Sequence, residues 1–303
     1  MLAIVESPYQ LQNTLSLFEY LKVDKRQVKL LIRNNGNKTQ QEQYSSQLNG
    51  IKPIYFYLPA KGLSKFPLFI YFYLKYFFSF LMAKSIVLGD ARSIACRPLL
   101  KESIYFNKDV YLVDDGLYLL SYIEKLEQVK CTIYTSLPLK PGRKSKFSII
   151  RKEVEEFSSY DDTKSVNFIG QHLVELGFLS EEEYLSYLNE IIKSYSDRYE
   201  VFNYFTHRSE SKDKINKISD VGYNVIYLPS SIENYFYEKN APTGVFISFY
   251  STALLNIYLA HRGSSFYFIS KVFHLPGSEI NNAIASCHKV MKLAGINALE
   301  IKE

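Results

Sequence analysis

Residues 2–21, LAIVESPYQLQNTLSLFEYL, join a short apolar run to an amphipathic helical pattern. The run LAIVE at 2–6 is typical of a buried strand. Ser7 can cap the following helix, Pro8 suits its first position, and Gln10 can complete a capping box with Ser7. A strand that leads directly into a helix is the repeating unit of a parallel α/β sheet.

The same alternation continues along the chain, so the sequence predicts an α/β protein with parallel sheets. Further strand-like runs in the first half lie at 27–33, 51–58, 85–89, 110–114 and 131–136. In the second half they lie at 165–171, 199–207, 224–229, 243–250 and 266–270. Predicted helices of the second half run from about Ser180 to Tyr195 with Glu183 closing a capping box, within 211–219, from about 231, within 251–261 and from 278 to 294.

Between 137 and 165 the alternation stops, and the chain is rich in charge, Ser, Pro and Gly. This composition is typical of a connection between domains. We therefore expect two Rossmann-like, doubly wound domains, residues 1–155 and 156–303. Two such domains describe the GT-B plan of glycosyltransferases, with a central cleft between them, although other two-domain α/β proteins share that outline.

Charge and cysteine content exclude several classes of protein. The net charge is +5, and 36 basic residues are scattered among 31 acidic ones, so we expect no nucleic-acid partner. Cys96, Cys131 and Cys287 are far apart and form no metal-binding pattern, which predicts a reduced, cytoplasmic setting without disulfides or a structural metal. The N-terminus MLAIVESPYQ has no basic leader and is interpreted as the first strand of the fold.

One stretch, FPLFIYFYLKYFFSFLMA at 66–83, approaches the length of a membrane span but carries Lys75 in its middle. A strand-like SIVLGD follows with no polar anchor between the two segments. We therefore predict a buried or interface helix rather than a span. A peripheral contact with a membrane, at the inner face of the cytoplasmic membrane, stays open.

Polar residues at strand ends are the first candidates for chemistry, because ligands of parallel sheets bind beyond the carboxyl ends of the strands. In the first half, VYLVDDG at 110–116 ends a strand with Asp114, Asp115 and Gly116. One carboxylate of such a pair can have a raised pKa and remove a proton from an alcohol. An ordinary turn gives the same residues.

In the second half, three groups follow strands or begin helices. His207 and Arg208 could contact a phosphate, or they could lie in an exposed loop. Ser251 and Thr252 offer hydroxyls and helix N-terminal amides to a phosphate, or they merely cap the helix. Glu233 could bind the hydroxyls of a ribose, or it could close a capping box with Ser230.

Taken together, the order Asp-Asp-Gly, then His, Pro-x-x-x-Glu and Ser-Thr resembles bacterial sialyltransferases of the lipooligosaccharide, capsule and polysialyltransferase-like families. Those families carry a D/E-D/E-G motif, an HP motif and an S-S/T motif in that order, on a GT-B fold. The opening VESPYQLQ and FIGQ at 168–171 are also similar to members of these families. The chain departs from the pattern at Arg208, where the family has proline.

For the first domain, the resemblance implies acceptor binding and the catalytic base. Asp115 in first place, and Asp114 in second, would deprotonate the acceptor hydroxyl. Asp90 and Arg92, in LGDARS, are our candidates for contacts with acceptor hydroxyls. A surface turn would explain these two residues nearly as well.

For the second domain, the resemblance implies binding of CMP-sialic acid. His207 would act at the CMP phosphate as acid or electrostatic stabiliser, with Arg208 as an added cation. Ser251 and Thr252 would bind that phosphate, and Glu233 would hold the cytidine ribose.

Gly170 and Gln171, after the first strand of the second domain, are further candidate neighbours of the nucleotide. The implied reaction is an inverting, metal-independent transfer to a terminal galactose or sialic acid of a surface glycan, with CMP-sialic acid as substrate and no cofactor. The alternatives are a transferase for another CMP-nonulosonate or nucleotide sugar, and a non-catalytic glycan- or membrane-binding assembly protein.

Overall fold

The computed structural model describes residues 1–34, 36, 38–48, 50–59, 65–157, 160–261, 263–271 and 278–301. The chain divides into two compact units, Met1–Lys152 and Glu153–Glu303. We call them unit 1 and unit 2.

Unit 1 is a parallel sheet with helices between its strands, as the alternation predicts. Its strands are β1 (Leu2–Val5), β2 (Lys29–Asn34), β3 (Ile54–Tyr57), β4 (Ser85–Leu88), β5 (Asp109–Val113), β6 (Thr132–Thr135) and β7 (Ser148–Arg151). Its α-helices are α1 (Pro8–Tyr20), α2 (Lys38–Gln47), α3 (Lys65–Met82), α4 (Arg97–Tyr105) and α5 (Ile123–Leu126). Two 3₁₀ helices cover Lys25–Gln27 and Gly116–Ser121.

The sheet order in unit 1 is β3-β2-β1-β4-β5-β6-β7, and the paired strands are parallel. Ile4 of β1 lies opposite Leu31 of β2 on one side and Leu88 of β4 on the other. All four residues of β1 are buried, as expected for the centre of a sheet covered on both faces. The strand order reverses between β1 and β4, which makes their carboxyl ends the expected ligand site.

Unit 2 repeats this plan with a second parallel sheet of order β10-β9-β8-β11-β12-β13. Its strands are β8 (Tyr160–Ile169), β9 (Val201–Phe205), β10 (Asn224–Ile226), β11 (Ala241–Ser248), β12 (Ser265–Ile269) and β13 (Asn297–Leu299). Its helices are α6 (Glu181–Tyr195), α7 (Lys212–Asp220), α8 (Ile232–Glu238), α9 (Thr252–Ala260) and α10 (Ser278–Ala294). The order reverses between β8 and β11.

Several local predictions are confirmed. Ser7 caps α1 with Pro8 in its first turn, and Ser180 and Glu183 form the predicted capping box of α6. The stretch 66–83 is helical over most of its length, as α3. No helix among the residues that the structure describes is long and apolar enough to cross a membrane.

The predicted connection at 137–165 is wrong in part, because it contains β7 and the first half of β8. β7 is a short strand at the sheet edge, where Ile149 pairs only with Ile133 of β6 among the described registers. It follows a Lys-, Pro- and Gly-rich segment, so composition averaged over the region conceals four strand residues. β13, a three-residue strand after α10, was also not predicted from the sequence.

Candidate active site

In unit 1 the turn after β5 separates the two neighbouring aspartates by environment. The Asp114 side chain is fully buried; its Oδ2 accepts a hydrogen bond from the Thr135 hydroxyl at 2.5 Å and its Oδ1 one from the Gly116 amide at 2.6 Å. Gly116 has φ +73°, a conformation that favours glycine. Burial raises the pKa of Asp114 while these hydrogen bonds lower it. Asp114 therefore shapes the turn.

Asp115 instead lines a small pocket at the carboxyl ends of β4 and β5. Gln10 Nε2 donates to its Oδ1 at 2.7 Å, and Arg92 Nη2 donates to its Oδ2 at 3.0 Å. Burial, and then the neighbouring Asp90 carboxylate, raise the pKa of Asp115 to about 7, against the opposing effects of Gln10 and Arg92. The side chain can therefore accept a proton near neutral pH.

Asp90 and Arg92 lie in the same pocket as Asp115. The Arg92 guanidinium donates to both carboxylate oxygens of Asp90 at 3.0 Å and also to Asp115, so it bridges the two acids. Three of the four sequence candidates of unit 1, Asp90, Arg92 and Asp115, are thus brought together by the ends of β4 and β5, whereas Asp114 does not line the pocket. The remaining lining residues are Gly89, Ala91, Leu112, Val113, Leu119 and Tyr122.

Gln10 does not complete the predicted capping box. Ser7 Oγ does accept from the Gln10 amide, but the Gln10 side chain bonds elsewhere. Its Oε1 accepts from the Glu6 amide at 2.7 Å, so its Nε2 is directed at Asp115. A Cβ on Gly89 would lie 2.2 Å from Gln10 Oε1, and glycine at this position leaves the room that the glutamine needs.

Three further polar residues on the side of the sheet where the strands end, Glu6, Arg33 and Ser93, were not predicted from the sequence. Glu6, directly after β1, accepts from Arg33 Nη1 of β2 and from the Ser93 hydroxyl. The Glu6 and Arg33 side chains are both largely buried, and their ion pair joins the ends of β1 and β2. Glu6 and Arg33 could have been found from their position, because each lies at the carboxyl end of a predicted strand.

In unit 2, Gly170 and Gln171 lie at the end of β8, where they connect to β9 and β11. The Gly170 amide donates to Phe205 O at 2.9 Å. Gln171 Oε1 accepts from the amides of Phe249 and Tyr250 at 3.2 and 3.1 Å. The two residues therefore hold together the strand ends around the point where the sheet order reverses.

His207, after β9, stacks on His172 with ring centroids 4.4 Å apart and planes at 11°. The Ser209 amide donates to His207 Nδ1 at 3.2 Å, which leaves the proton of a neutral ring on Nε2. Burial, then His172 and Arg208, lower the pKa of His207 to about 3. A neutral His207 is a hydrogen-bond donor. His172 was missed, although it directly follows the FIGQ segment.

A buried lysine, Lys214, contacts the loops that follow β8 and β9. Lys214 Nζ pairs with Glu210 Oε1 at 2.7 Å and donates to Gln171 O at 3.1 Å, and its side chain is fully buried. Glu210 Oε2 accepts from the His207 amide at 2.5 Å. Lys214 and Glu210 thus fix the loops that carry Gln171 and His207. Arg208 is exposed beside them.

Ser251 and Thr252 begin α9, at the carboxyl end of β11. Ser251 is the N-cap, and its Oγ accepts from the Ala253 amide at 3.2 Å. Both residues are half-buried. Capping therefore occurs, and it leaves the hydroxyl hydrogen of Ser251 as a donor.

Glu233 does not form the capping box considered with Ser230. The N-cap of α8 is Ser231, which accepts from the Asn234 amide at 3.2 Å. Glu233 Oε1 instead accepts from Asn256 Nδ2 of α9 at 2.7 Å, and so connects the two helices. Within the described ranges, no group of three or more His, Cys, Asp or Glu side chains is arranged to hold a metal ion.

No protein-family model matches the sequence, and a search of curated proteins gives no match. Solved structures are similar in fold. An α/β-galactoside α-2,3-sialyltransferase from Photobacterium phosphoreum has a TM-score of 0.55 and 13% identity, over 98% of both chains.

Two further structures are as similar as the sialyltransferase. S. aureus MnaA in complex with UDP has a TM-score of 0.57 and 11% identity, over 96% of this chain and 87% of that one. A UDP-GlcNAc 2-epimerase from Neisseria meningitidis, bound to UDP-GlcNAc, has a TM-score of 0.54 and 11% identity, over 97% and 94%. The chain thus has the GT-B-like α/β fold that the sequence predicts, with two Rossmann-like units.

Proposed function

We propose that the chain is an inverting glycosyltransferase that moves sialic acid from CMP-sialic acid to a hydroxyl of a terminal galactose or sialic acid on a bacterial surface glycan. The observation that carries the proposal is Asp115, a carboxylate with a pKa of about 7 in a pocket at the carboxyl ends of β4 and β5. The setting is the cytoplasm, as the wide spacing of the three cysteines predicts.

Unit 1 binds the acceptor in this proposal. Asp115 takes the proton of the attacking hydroxyl, and its pKa suits transfer near neutral pH. Arg92 and Asp90 hold neighbouring hydroxyls of the sugar, since the pair offers both donors and acceptors at the pocket. Gln10 positions Asp115 through its fixed amide.

Unit 2 binds the donor. The Ser251 and Thr252 hydroxyls and the N-terminus of α9 hold the CMP phosphate, as helix N-termini favour anions. His207 donates from Nε2 to the same phosphate, with the Arg208 cation nearby. Glu233 accepts from the ribose hydroxyls, and Gly170 and Gln171 keep the strand ends in place beside the nucleotide.

The proposed reaction needs one base and forms no covalent intermediate with the protein. The bond between the anomeric carbon and the phosphate oxygen breaks, and its electron pair leaves with CMP. The acceptor oxygen forms the new bond on the opposite face while its proton passes to Asp115. Because no nucleophilic carboxylate intervenes, the configuration at the anomeric carbon inverts.

Donor specificity is the first test. Purified protein is incubated separately with CMP-sialic acid, another CMP-nonulosonate and UDP-GlcNAc, each with lactose and with sialyllactose, and nucleotide release and glycan product are measured. The proposal predicts CMP release and an inverted product with CMP-sialic acid. Turnover of UDP-GlcNAc alone would contradict it and would favour the alternative of another nucleotide sugar.

The non-catalytic alternative is a glycan- or membrane-binding assembly protein. The two hypotheses are distinguished by measuring transfer in Asp115→Asn and in a matched control, Asp109→Asn. Asp109 lies at the opposite end of β5. A catalytic role predicts loss of transfer only with the first substitution. Glycan binding without turnover of any donor would support the non-catalytic alternative.

A further inference from the structure

The outward face of α3 is a continuous apolar stripe. Every fourth residue along the helix is apolar and exposed: Phe66, Ile70, Leu74, Phe78 and Met82. Leu74, Phe78 and Met82 are 72%, 75% and 83% exposed. At a rise of 1.5 Å per residue the stripe is about 24 Å long.

The opposite face of α3 packs against the rest of unit 1, which holds the helix in place. Phe72, Tyr76 and Phe80 are buried. Phe72 packs on Phe56 of β3 with ring centroids 4.5 Å apart, and Lys29 Nζ of β2 donates to the Ser79 hydroxyl at 2.6 Å. The helix therefore presents its apolar stripe on a rigid support, and an exposed patch of this kind marks an interaction site.

The chain segment that contains the stripe carries charges of one sign. From residue 43 to residue 89 the sequence contains five lysines and no Asp or Glu. Of these, Lys52, Lys75 and Lys84 have exposed side chains among the residues that the structure describes. Lys75 is exposed on α3 itself, with its ammonium 5.5 Å from the ring centroid of Tyr71, which is also exposed. The surface that complements this segment is apolar and anionic.

We propose that α3 docks unit 1 on an anionic lipid bilayer, with the helix lying in the membrane interface. Phe, Tyr, Leu and Met side chains would enter the boundary between headgroups and acyl chains, and Lys75 and Lys84 would contact anionic headgroups. A second copy of the chain fits less well, because two such faces would oppose lysines to lysines. The proposal is independent of the donor sugar, so it can fail while the proposed function stands.

The test is flotation of the full-length protein with vesicles of phosphatidylcholine alone and of phosphatidylcholine mixed with phosphatidylglycerol. The test variant is Leu74→Gln with Phe78→Gln, which changes two exposed side chains. The control is Leu176→Gln with Leu293→Gln, which removes two exposed leucines of unit 2. A second variant, Lys75→Glu with Lys84→Glu, tests the charge.

The wild type and the leucine control should float with the anionic vesicles, and this binding should weaken with salt. The Leu74/Phe78 variant and the Lys75/Lys84 variant should both bind at least about tenfold more weakly, because the first removes apolar area from the contact and the second removes cationic charge. The melting temperature of the Leu74/Phe78 variant should match that of the wild type, which shows that the variant folds.

Three results would overturn the proposal. They are no binding of the wild type to either vesicle, equal binding of the wild type and the Leu74/Phe78 variant, and equal binding to neutral and anionic vesicles. A dimer in solution that the Leu74/Phe78 substitutions dissociate, without lipid binding, would assign the face to a second copy instead.

Discussion

Burial has two opposing effects on the Asp115 carboxyl group. The burial that raises its pKa to about 7 makes it a suitable base, but it also makes the charged form costly in the folded protein. Only the deprotonated form can accept the acceptor proton. We therefore expect kcat/KM to fall as the pH decreases below about 7, with a single ionisation on the acid limb.

The same pKa shift predicts a pH-dependent stability. The folded pKa of Asp115 lies above the ordinary aspartate value of 3.8, so the native state binds more protons than the unfolded state between these two pH values. The stability contributed by this group is present at low pH and is lost as the pH rises through about 7. Asp115→Asn should therefore gain stability relative to the wild type, by at most about 4 kcal/mol, since one pKa unit corresponds to about 1.4 kcal/mol.

Thermal unfolding of wild type and Asp115→Asn at about pH 5 and about pH 8 measures this effect. The melting temperature of the variant, relative to the wild type, should increase between the two pH values. Asp109→Asn, on an exposed residue of the same strand, should show no such trend. A constant difference across the range would mean that Asp115 is not strained by its charge.

Gln10 gives a second prediction at this scale, because its hydrogen bond lowers the pKa of Asp115. Gln10→Glu replaces a donor by a like charge and should raise the apparent pKa of the kcat/KM profile. Gln10→Ala should raise it less, because it removes the donor without adding a charge. An unchanged profile in both variants would show that Gln10 only packs against Gly89.

The sequence predicts Asp115 as the first candidate for the base, but it does not predict the hydrogen-bond partners of Asp115. A capping-box pattern at Ser7 and Gln10 is local, whereas the partner that Gln10 selects, Asp115, is 105 residues away. Likewise the stacking of His172 on His207 depends on the pairing of β8 with β9. Contacts of this kind arise from strand order, which no local pattern specifies.

At the element scale, the N-terminus of α9 allows capping and phosphate binding to be separated. Ser251→Ala removes the cap and should destabilise the protein by about 1 kcal/mol. Ser251→Asp keeps a capping acceptor but adds a negative charge where the phosphate should bind. It should therefore retain wild-type stability while the KM for the donor increases at least about tenfold.

Denaturant unfolding and donor kinetics of the two Ser251 variants provide the measurement. The Ser251→Asp variant is decisive, because a residue that only caps the helix would tolerate aspartate in both assays. Wild-type donor KM in that variant would contradict phosphate binding at this helix.

The turn after β8 gives another prediction for an element. A Cβ on Gly170 would lie 2.7 Å from both Glu210 Oε2 and the Tyr204 hydroxyl, and 2.8 Å from Phe205 O. Gly170→Ala should therefore separate β8 from the loop of His207, lower stability by roughly 1–3 kcal/mol and weaken donor binding. Gly142→Ala is the control, because a Cβ on Gly142 would lie no closer than 3.2 Å to any neighbour, the nearest being the Ser145 hydroxyl. Equal stability of the two variants would contradict this close approach.

Elements with long apolar or capped patterns could be predicted, and short edge strands could not. α6 was predicted from Ser180 and Glu183, which satisfy its first backbone amides within one turn. β7 has four residues and one recorded partner strand, so its stability comes from pairing with β6 rather than from its own pattern. The same holds for β13 beside β12.

At the scale of the whole molecule, the proposal assigns acceptor chemistry to unit 1 and donor binding to unit 2. The two functions should be separable by mutation. CMP should bind Asp115→Asn as tightly as the wild type, because that residue does not contact the nucleotide in the proposal. Ser251→Asp should bind CMP more weakly, and isothermal titration of both variants tests this division.

The reverse result would contradict the division of roles. Weaker CMP binding in Asp115→Asn, with unchanged binding in Ser251→Asp, would place the nucleotide in unit 1. The fold itself would be unaffected, since both units have the same parallel architecture and either could bind a nucleotide at its strand ends.

Sialylation of lactose measures whether Asp115 is the base of sugar transfer from CMP-sialic acid. Transfer should proceed in the wild type and in Asp109→Asn, and should fall by about 10²–10⁴-fold in Asp115→Asn at unchanged CMP affinity. Wild-type transfer by Asp115→Asn, or no turnover of CMP-sialic acid with any acceptor, would contradict the claim.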